Sequence, residues 1–129
     1  MKSFNGIANA PTPVGPYSQA TEANGLLFLA GQVGLEPQTG ALVPGGVREQ
    51  TEQVLKNLDA VLRGAGSAPE RILLTTIFLA DMADFPTVNE VYGHFVSSDA
   101  PPARQTVAVK QLPLGALVEI SVIAAAIGA

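Results

Sequence analysis

The chain has 129 residues, of which 47% are apolar and only 14% charged, with a net charge of −4. That length supports one domain with a real core, residues 1–129, and so little charge implies that apolar surface is buried against partner subunits. The acidic balance, with no basic cluster, excludes the electrostatic footprint of a nucleic-acid binder. The absence of cysteine excludes disulfides and thiolate nucleophiles, and a single histidine, His94, leaves no ordinary zinc ligand set. Met1–Gly6 has no long apolar core, so it does not read as a signal peptide. The longest apolar run, Val122 to Gly128, is too short to cross a bilayer. A cytoplasmic address with no membrane partner is the expectation.

In chain order, Ala10 to Pro16 is an irregular lead-in, because its prolines have no N–H for a ladder. Tyr17 to Thr21 reads as a first short strand, and Ala23-Asn24-Gly25 as a hairpin turn. Leu26 to Val33 reads as a second strand, apolar on both faces and so expected to be covered on both. Gly31 near its end predicts a bulge or a close approach of backbone to another group. After a loop at Glu36–Gly40, Gly45-Gly46 precedes a helix from Val47 to Arg63. Its apolar stripe is Val47, Val54, Leu55, Leu58, Val61 and Leu62, and Gly64 and Gly66 suit its C-terminus. The glycines form no phosphate-binding pattern. Arg71 to Leu79 is a third strand. Asp84 is placed as an N-cap with Pro86 in the first turn of a second helix, which carries Phe85, Val88, Tyr92 and Phe95 on one side. Asn89, Glu90 and His94 read as an ordinary helix face.

Two further strands follow, Pro101 to Val109 and Leu117 to Val122. Side chains two apart share a strand face, so Arg104 lies with Thr106 and Ala108, and Glu119 with Leu117 and Ser121. A charge inside an otherwise apolar strand is costly unless it is paired, wet or functional. The loop Leu112–Gly115 allows these strands to pair as antiparallel neighbours, with Arg104 and Glu119 on one sheet face. On spacing alone a structural ion pair, within the chain or at a subunit contact, is a slightly better reading than a site. The order β-β-α-β-α-β-β gives an α+β fold in which two helices cover one face of a mixed sheet. The other face still carries apolar positions such as Leu117 and Ile123 and has no helix left to cover it. The expectation is an oligomer that closes its sheet faces on one another, with any site near a subunit boundary.

The chain resembles the RidA family, the reactive intermediate deaminases, from Asn9 to about Ile123. The resemblance is carried by Pro13-Val14-Gly15-Pro16-Tyr17-Ser18-Gln19, Leu29-Ala30-Gly31-Gln32, Pro44-Gly45-Gly46-Val47, Thr87-Val88-Asn89-Glu90-Val91-Tyr92, and Pro102-Ala103-Arg104 with Val118-Glu119-Ile120. It implies a chorismate-mutase-like fold and a homotrimer whose sheets pack into a central barrel with clefts between subunits. It also implies hydrolysis of 2-aminoacrylate and related 2-imino acids to 2-keto acids and ammonia, with no cofactor or metal. By the same resemblance Arg104 binds the substrate carboxylate and Glu119 positions water and moves protons. Tyr17 and Asn89 line the cleft, and Gly31 offers a backbone N–H. A guanidinium suits a carboxylate because it binds it with two parallel charged hydrogen bonds.

Two positions depart from the family's frequent pattern. Thr106 stands where many members have Cys; the role there is mostly that of a backbone carbonyl, which Thr preserves. Ala30 stands where many have Ser, which removes one hydroxyl from the cleft. Members have also been described as chaperones and as endoribonucleases that inhibit translation. The acidic balance and the lack of a histidine pair oppose the ribonuclease reading. A holdase needs only exposed apolar surface. A small-molecule sensor would bind 2-keto acids or amino acids through Arg104 without turnover.

Overall fold

The computed structural model describes residues 1–127. Six strands form one sheet: β1 Lys2–Phe4, β2 Ala20–Ala23, β3 Leu26–Leu29, β4 Ile72–Leu79, β5 Ala103–Ala108 and β6 Val118–Ala125. Helices α1 (Val47–Gly64) and α2 (Phe85–Gly93) complete the fold. The spatial order is β1-β2-β3-β6-β4-β5. The final strand β6 is inserted between β3 and β4 and runs antiparallel to both, while β4 and β5 are parallel. Parallel neighbours need a crossover, and α2 supplies it. This is the mixed sheet with two helices expected from the sequence, extended by an N-terminal strand. No helix among the described residues is long and apolar enough to cross a membrane.

The helices cover one face. The α1 stripe buries Val54, Leu58, Val61 and Leu62, and α2 adds Val88, Val91 and Tyr92. They pack on Leu27, Ile77, Leu79, Val118 and Ile120, all essentially fully buried. The α1 boundaries match the sequence reading to within a residue. Glu49 reaches back to accept from the Gly46 N–H at 2.8 Å, which holds the first turn. Asp84 precedes α2 but its side chain caps nothing; Asp81 does the capping, accepting from the Ala83 N–H at 2.9 Å in the short turn before the helix.

Three sequence expectations are corrected. The first concerns the start of the sheet. Tyr17 and Ser18 stay in the lead-in, and the second strand begins only at Ala20, where β2 is sandwiched between β1 and β3. Pro16 cannot donate to a ladder, and Tyr17 instead turns back with its N–H on the Gly15 carbonyl.

Second, β3 is not covered on both sides by this chain's own elements. It ends at Leu29, and Leu26 and Phe28 point away from the helices and are exposed in the chain.

Third, β5 and β6 are not neighbours. Strand β4 lies between them, with Thr75 opposite Arg104 and Phe78 opposite Glu119. Thr75 points to the helices, where its hydroxyl accepts from Tyr92, and Phe78 points the other way. Arg104 and Glu119 therefore lie on opposite faces of the sheet. Spacing could not show this, because β4 is contributed from earlier in the chain.

Candidate active site

Glu119 sits on the open face of β6, between Val118 and Ile120, whose side chains are buried on the covered face. Beside it the chain leaves β3 at Ala30-Gly31 and returns at Gln32, which exchanges two backbone hydrogen bonds with Ile120 (2.9 and 3.0 Å). That bridge presses Gly31 against the carboxylate. A Cβ at Gly31 would lie 2.9 Å from Glu119 Oε2, so the glycine is required by close approach. Partial burial raises the Glu119 carboxyl pKa above its ordinary value. Among the described residues no cation pairs with it.

A cavity of about 420 Å³ opens over this carboxylate. Tyr17, Ala30, Gly31 and Glu119 all line it. Tyr17 is half exposed, its hydroxyl accepting from the Val14 N–H at 3.3 Å. Ala30 is held by its N–H, which donates to the Gln19 carbonyl at 3.0 Å.

Sequence reasoning missed the buried polar groups that hold these walls. Gln19 is 2% exposed and ties the lead-in to the sheet, its Oε1 accepting from Ile7 N–H and its Nε2 donating to the Pro11 carbonyl. Asn57 on α1 donates to the carbonyls of Val33 and Leu35, and Gln50 accepts from the Leu117 N–H. Polar residues inside an apolar helical stripe were the available signal, since a buried amide must find partners.

Arg104 is built on the other side of β4. Its Nη1 donates to Asn89 Oδ1 at 2.7 Å. The guanidinium lies 5.5 Å from the Phe85 ring centroid and 5.2 Å from that of Tyr92. Residues 85, 89 and 92 follow i, i+4, i+7 spacing, so α2 presents all three on one face. The sequence reading used Phe85 and Tyr92 only as packing; their spacing around Asn89 was the missed signal for a cation shelf. Tyr92 in turn donates to Thr75 Oγ1 at 2.9 Å, and burial raises its pKa. Thr106, two residues along β5 from Arg104, has a buried hydroxyl with no hydrogen-bond partner. Arg104 has no carboxylate partner among the described residues, so the structural ion pair with Glu119 does not exist within the chain.

The predicted site residues thus fall into two groups on opposite faces of the sheet. One holds Tyr17, Ala30, Gly31 and Glu119 in a cavity; the other holds Arg104, Asn89 and Thr106 at the sheet edge under α2. Among the described residues no group of three or more potential metal ligands clusters.

A family model described as Endoribonuclease L-PSP matches residues 7–126. The chain belongs to this family. The 2-iminobutanoate/2-iminopropanoate deaminase of Mus musculus is 48% identical over 115 residues, which cover 89% of this chain and 84% of the mouse protein. The crystal structure of YyfA from Yersinia pestis, a member of the conserved Rid protein family, has a TM-score of 0.87 at 49% identity, covering 91% of this chain and 93% of that one. The crystal structure of E. coli TdcF with bound serine has a TM-score of 0.88 at 34% identity, covering 96% and 98%. The resemblance drawn from the short sequence blocks is therefore a family relationship over nearly the whole chain, and the Rid fold is the fold observed.

Proposed function

We propose that the protein hydrolyses 2-imino acids and their enamine tautomers, such as 2-aminoacrylate, to 2-keto acids and ammonia. The site is completed between copies of the chain in a homotrimer, Arg104 of one copy facing the Glu119 cavity of the next. The observation that carries this reading is the separation of the two charges. Among the described residues neither has an oppositely charged partner, each is on its own sheet face, and neither half-site alone has both an anchor for a carboxylate and a group to manage water. The mouse relative's name states the reaction, and the serine in the E. coli neighbour has the α-carboxylate and α-nitrogen such a site needs to recognise.

The chemistry asks little of the protein. Arg104, fixed by Asn89 and the two rings, binds the carboxylate through two parallel charged hydrogen bonds. Glu119 takes a proton from water as the oxygen adds to C2 of the imine and the nitrogen gains a proton. The resulting carbinolamine loses ammonia as its hydroxyl proton departs, leaving C=O. A carboxyl whose pKa is raised by burial holds a proton more readily and can give and take it in turn. Thr106 contributes backbone beside the carboxylate anchor, and Tyr17, Ala30 and Gly31 shape the cavity. No metal or organic cofactor enters the sequence of steps.

The bound serine of the E. coli neighbour favours one second reading, a sensor that holds an amino acid or keto acid without turnover. The ribonuclease of the family's description is less well served. The chain is acidic, and its one histidine, His94, is exposed at the C-terminal end of α2, where it lines a groove with Glu90 and Arg48 and not the Glu119 cavity. The test is a coupled assay in which a serine or threonine dehydratase releases the imine in the presence of semicarbazide. The wild-type protein speeds keto acid formation and suppresses the trapped adduct. Arg104→Ala lowers kcat/KM on the order of a hundredfold, the worth of charged hydrogen bonds lost in a sheltered cleft. A wild-type protein without effect on either product, but binding serine by calorimetry, establishes the sensor instead.

A further inference from the structure

We propose that Leu114 is a specificity-determining residue that selects imino acids with aliphatic side chains; this rests on the hydrolytic reading above. Leu114 adopts φ 61, ψ 19 between Pro113 and Gly115, itself at φ 70. A leucine is rarely found there, because its Cβ crowds the following carbonyl. Strain of this kind persists where the surroundings fix it. Here both ends of the turn are fixed. Leu112 and Ala116 are buried in a small cluster with Val33 and Leu35, and the Ala116 N–H closes the turn on the Pro113 carbonyl at 3.0 Å. The central side chain is left out of that cluster, 63% exposed.

That side chain lines the Glu119 cavity. Across the same cavity stands Val14, 78% exposed, with Pro11, Val33, Leu35 and Pro113 completing an apolar wall. Two of the most exposed aliphatic residues of the chain therefore face one space, and a strained turn presents one of them. Neither gains from packing within the chain. A 2-imino acid with C2 at Glu119 and its carboxylate on a neighbouring copy's Arg104 has only its side chain left to place, and the lining that remains is mostly apolar, with polar exceptions such as Thr12 and Gln32. Ala30, with no hydroxyl to offer, adds to that character.

The test uses the full-length protein and imines made in situ from L-leucine and L-alanine by an L-amino acid oxidase, with semicarbazide competing. Wild type is expected to hydrolyse the leucine-derived imine at least as efficiently as the alanine-derived one. Leu114→Asn suits the left-handed turn but removes the apolar surface. It should lower the leucine-to-alanine ratio of kcat/KM on the order of tenfold, mainly through the KM for the leucine-derived imine, with no fall in Tm. Leu114→Met keeps the apolar surface and should keep the ratio within about twofold. An unchanged ratio in Leu114→Asn, or an equal fall in Leu114→Met, overturns the proposal while leaving the hydrolytic function standing. A fall in Tm with both rates lowered alike overturns it too, since the turn is then only structural. Wild type inert toward both imines removes the hydrolytic reading, and this one with it.

Discussion

The two faces of the sheet have nearly the same chemistry in sequence and opposite fates in the chain. Along β6, Val118, Ile120 and Val122 face the helices and are buried. Their alternates are Glu119, Ser121 and Ile123, and the open face continues through Phe28, opposite Ile123 on β3, to Leu74 and Val107 across β4 and β5. Phe28 and Val107 remain 43% and 45% exposed. What differs is what covers them. The covered face is completed by the chain's own two helices, so it supplies the stability of the single chain. The open face repeats the apolar pattern with no cover, and the carboxylate sits at its margin. An apolar patch of this extent on a small chain marks a surface for association.

The comparison is broken most severely by exchanging the demands on the two faces. Leu58 is fully buried under the sheet. Leu58→Ala should cost about 2–5 kcal/mol of unfolding free energy, the usual range for a core leucine, read by urea denaturation. Phe28→Asp on the open face should instead convert the assembly to monomers in light scattering and, with the half-sites parted, abolish imine hydrolysis. If Phe28→Asp leaves particle mass and activity as they were, the open face is not an interface and the division of labour is wrong.

Much of this plan was legible before the structure. The α1 stripe gave a helix correct to a residue, because 3.6-residue periodicity is a local property. The surplus apolar face was also legible, since counting helices against strands left one face without cover. The pairing of β5 and β6 was not. A four-residue loop between alternating strands favours a hairpin locally, and only the competition of β4 for both edges separates Arg104 from Glu119. Strand order is decided by which faces the crossovers must bury, and no short window of sequence contains that. Gly31 was legible as a close approach, but not what it approached. Asn57 and Gln50, the buried amides that set the loops around Glu119, lay unremarked inside a helix pattern read only for its apolar members.

Glu119 gives a subtler contrast, because it belongs to the open face yet is already half buried there. Burial raises its pKa above the ordinary 4.5, so folding favours the neutral acid relative to the unfolded chain. Its contribution to stability is fully present below the ordinary carboxyl range and is lost as pH rises through the folded value. Glu119→Gln removes the titration. The Tm of the variant should match wild type below the ordinary carboxyl range and exceed it once pH has risen through the folded value, while hydrolysis is lost. A Tm difference that stays flat across that range, or shrinks as pH rises, means that the carboxylate is not held against its preference and that partial burial is not what prepares it for proton transfer.

The smallest effect tests whether the two faces are energetically separate. Arg48 on α1 and Glu90 on α2 meet at 3.3 Å across the outer surface of the helices, both substantially exposed. Such a pair contributes little, about 0–1 kcal/mol, so Arg48→Ala should barely move the denaturation midpoint. Glu90, however, is adjacent to Asn89, which holds the Arg104 guanidinium. If the buried contacts of Val88, Val91 and Tyr92 fix α2, Arg48→Ala should leave KM for the imine unchanged within about twofold, and salt should not mimic the variant. A several-fold rise in KM without loss of stability would mean that the helix layer sets the carboxylate anchor through its solvent-facing charges. The covered face would then contribute to substrate binding through α2 as well as to the core.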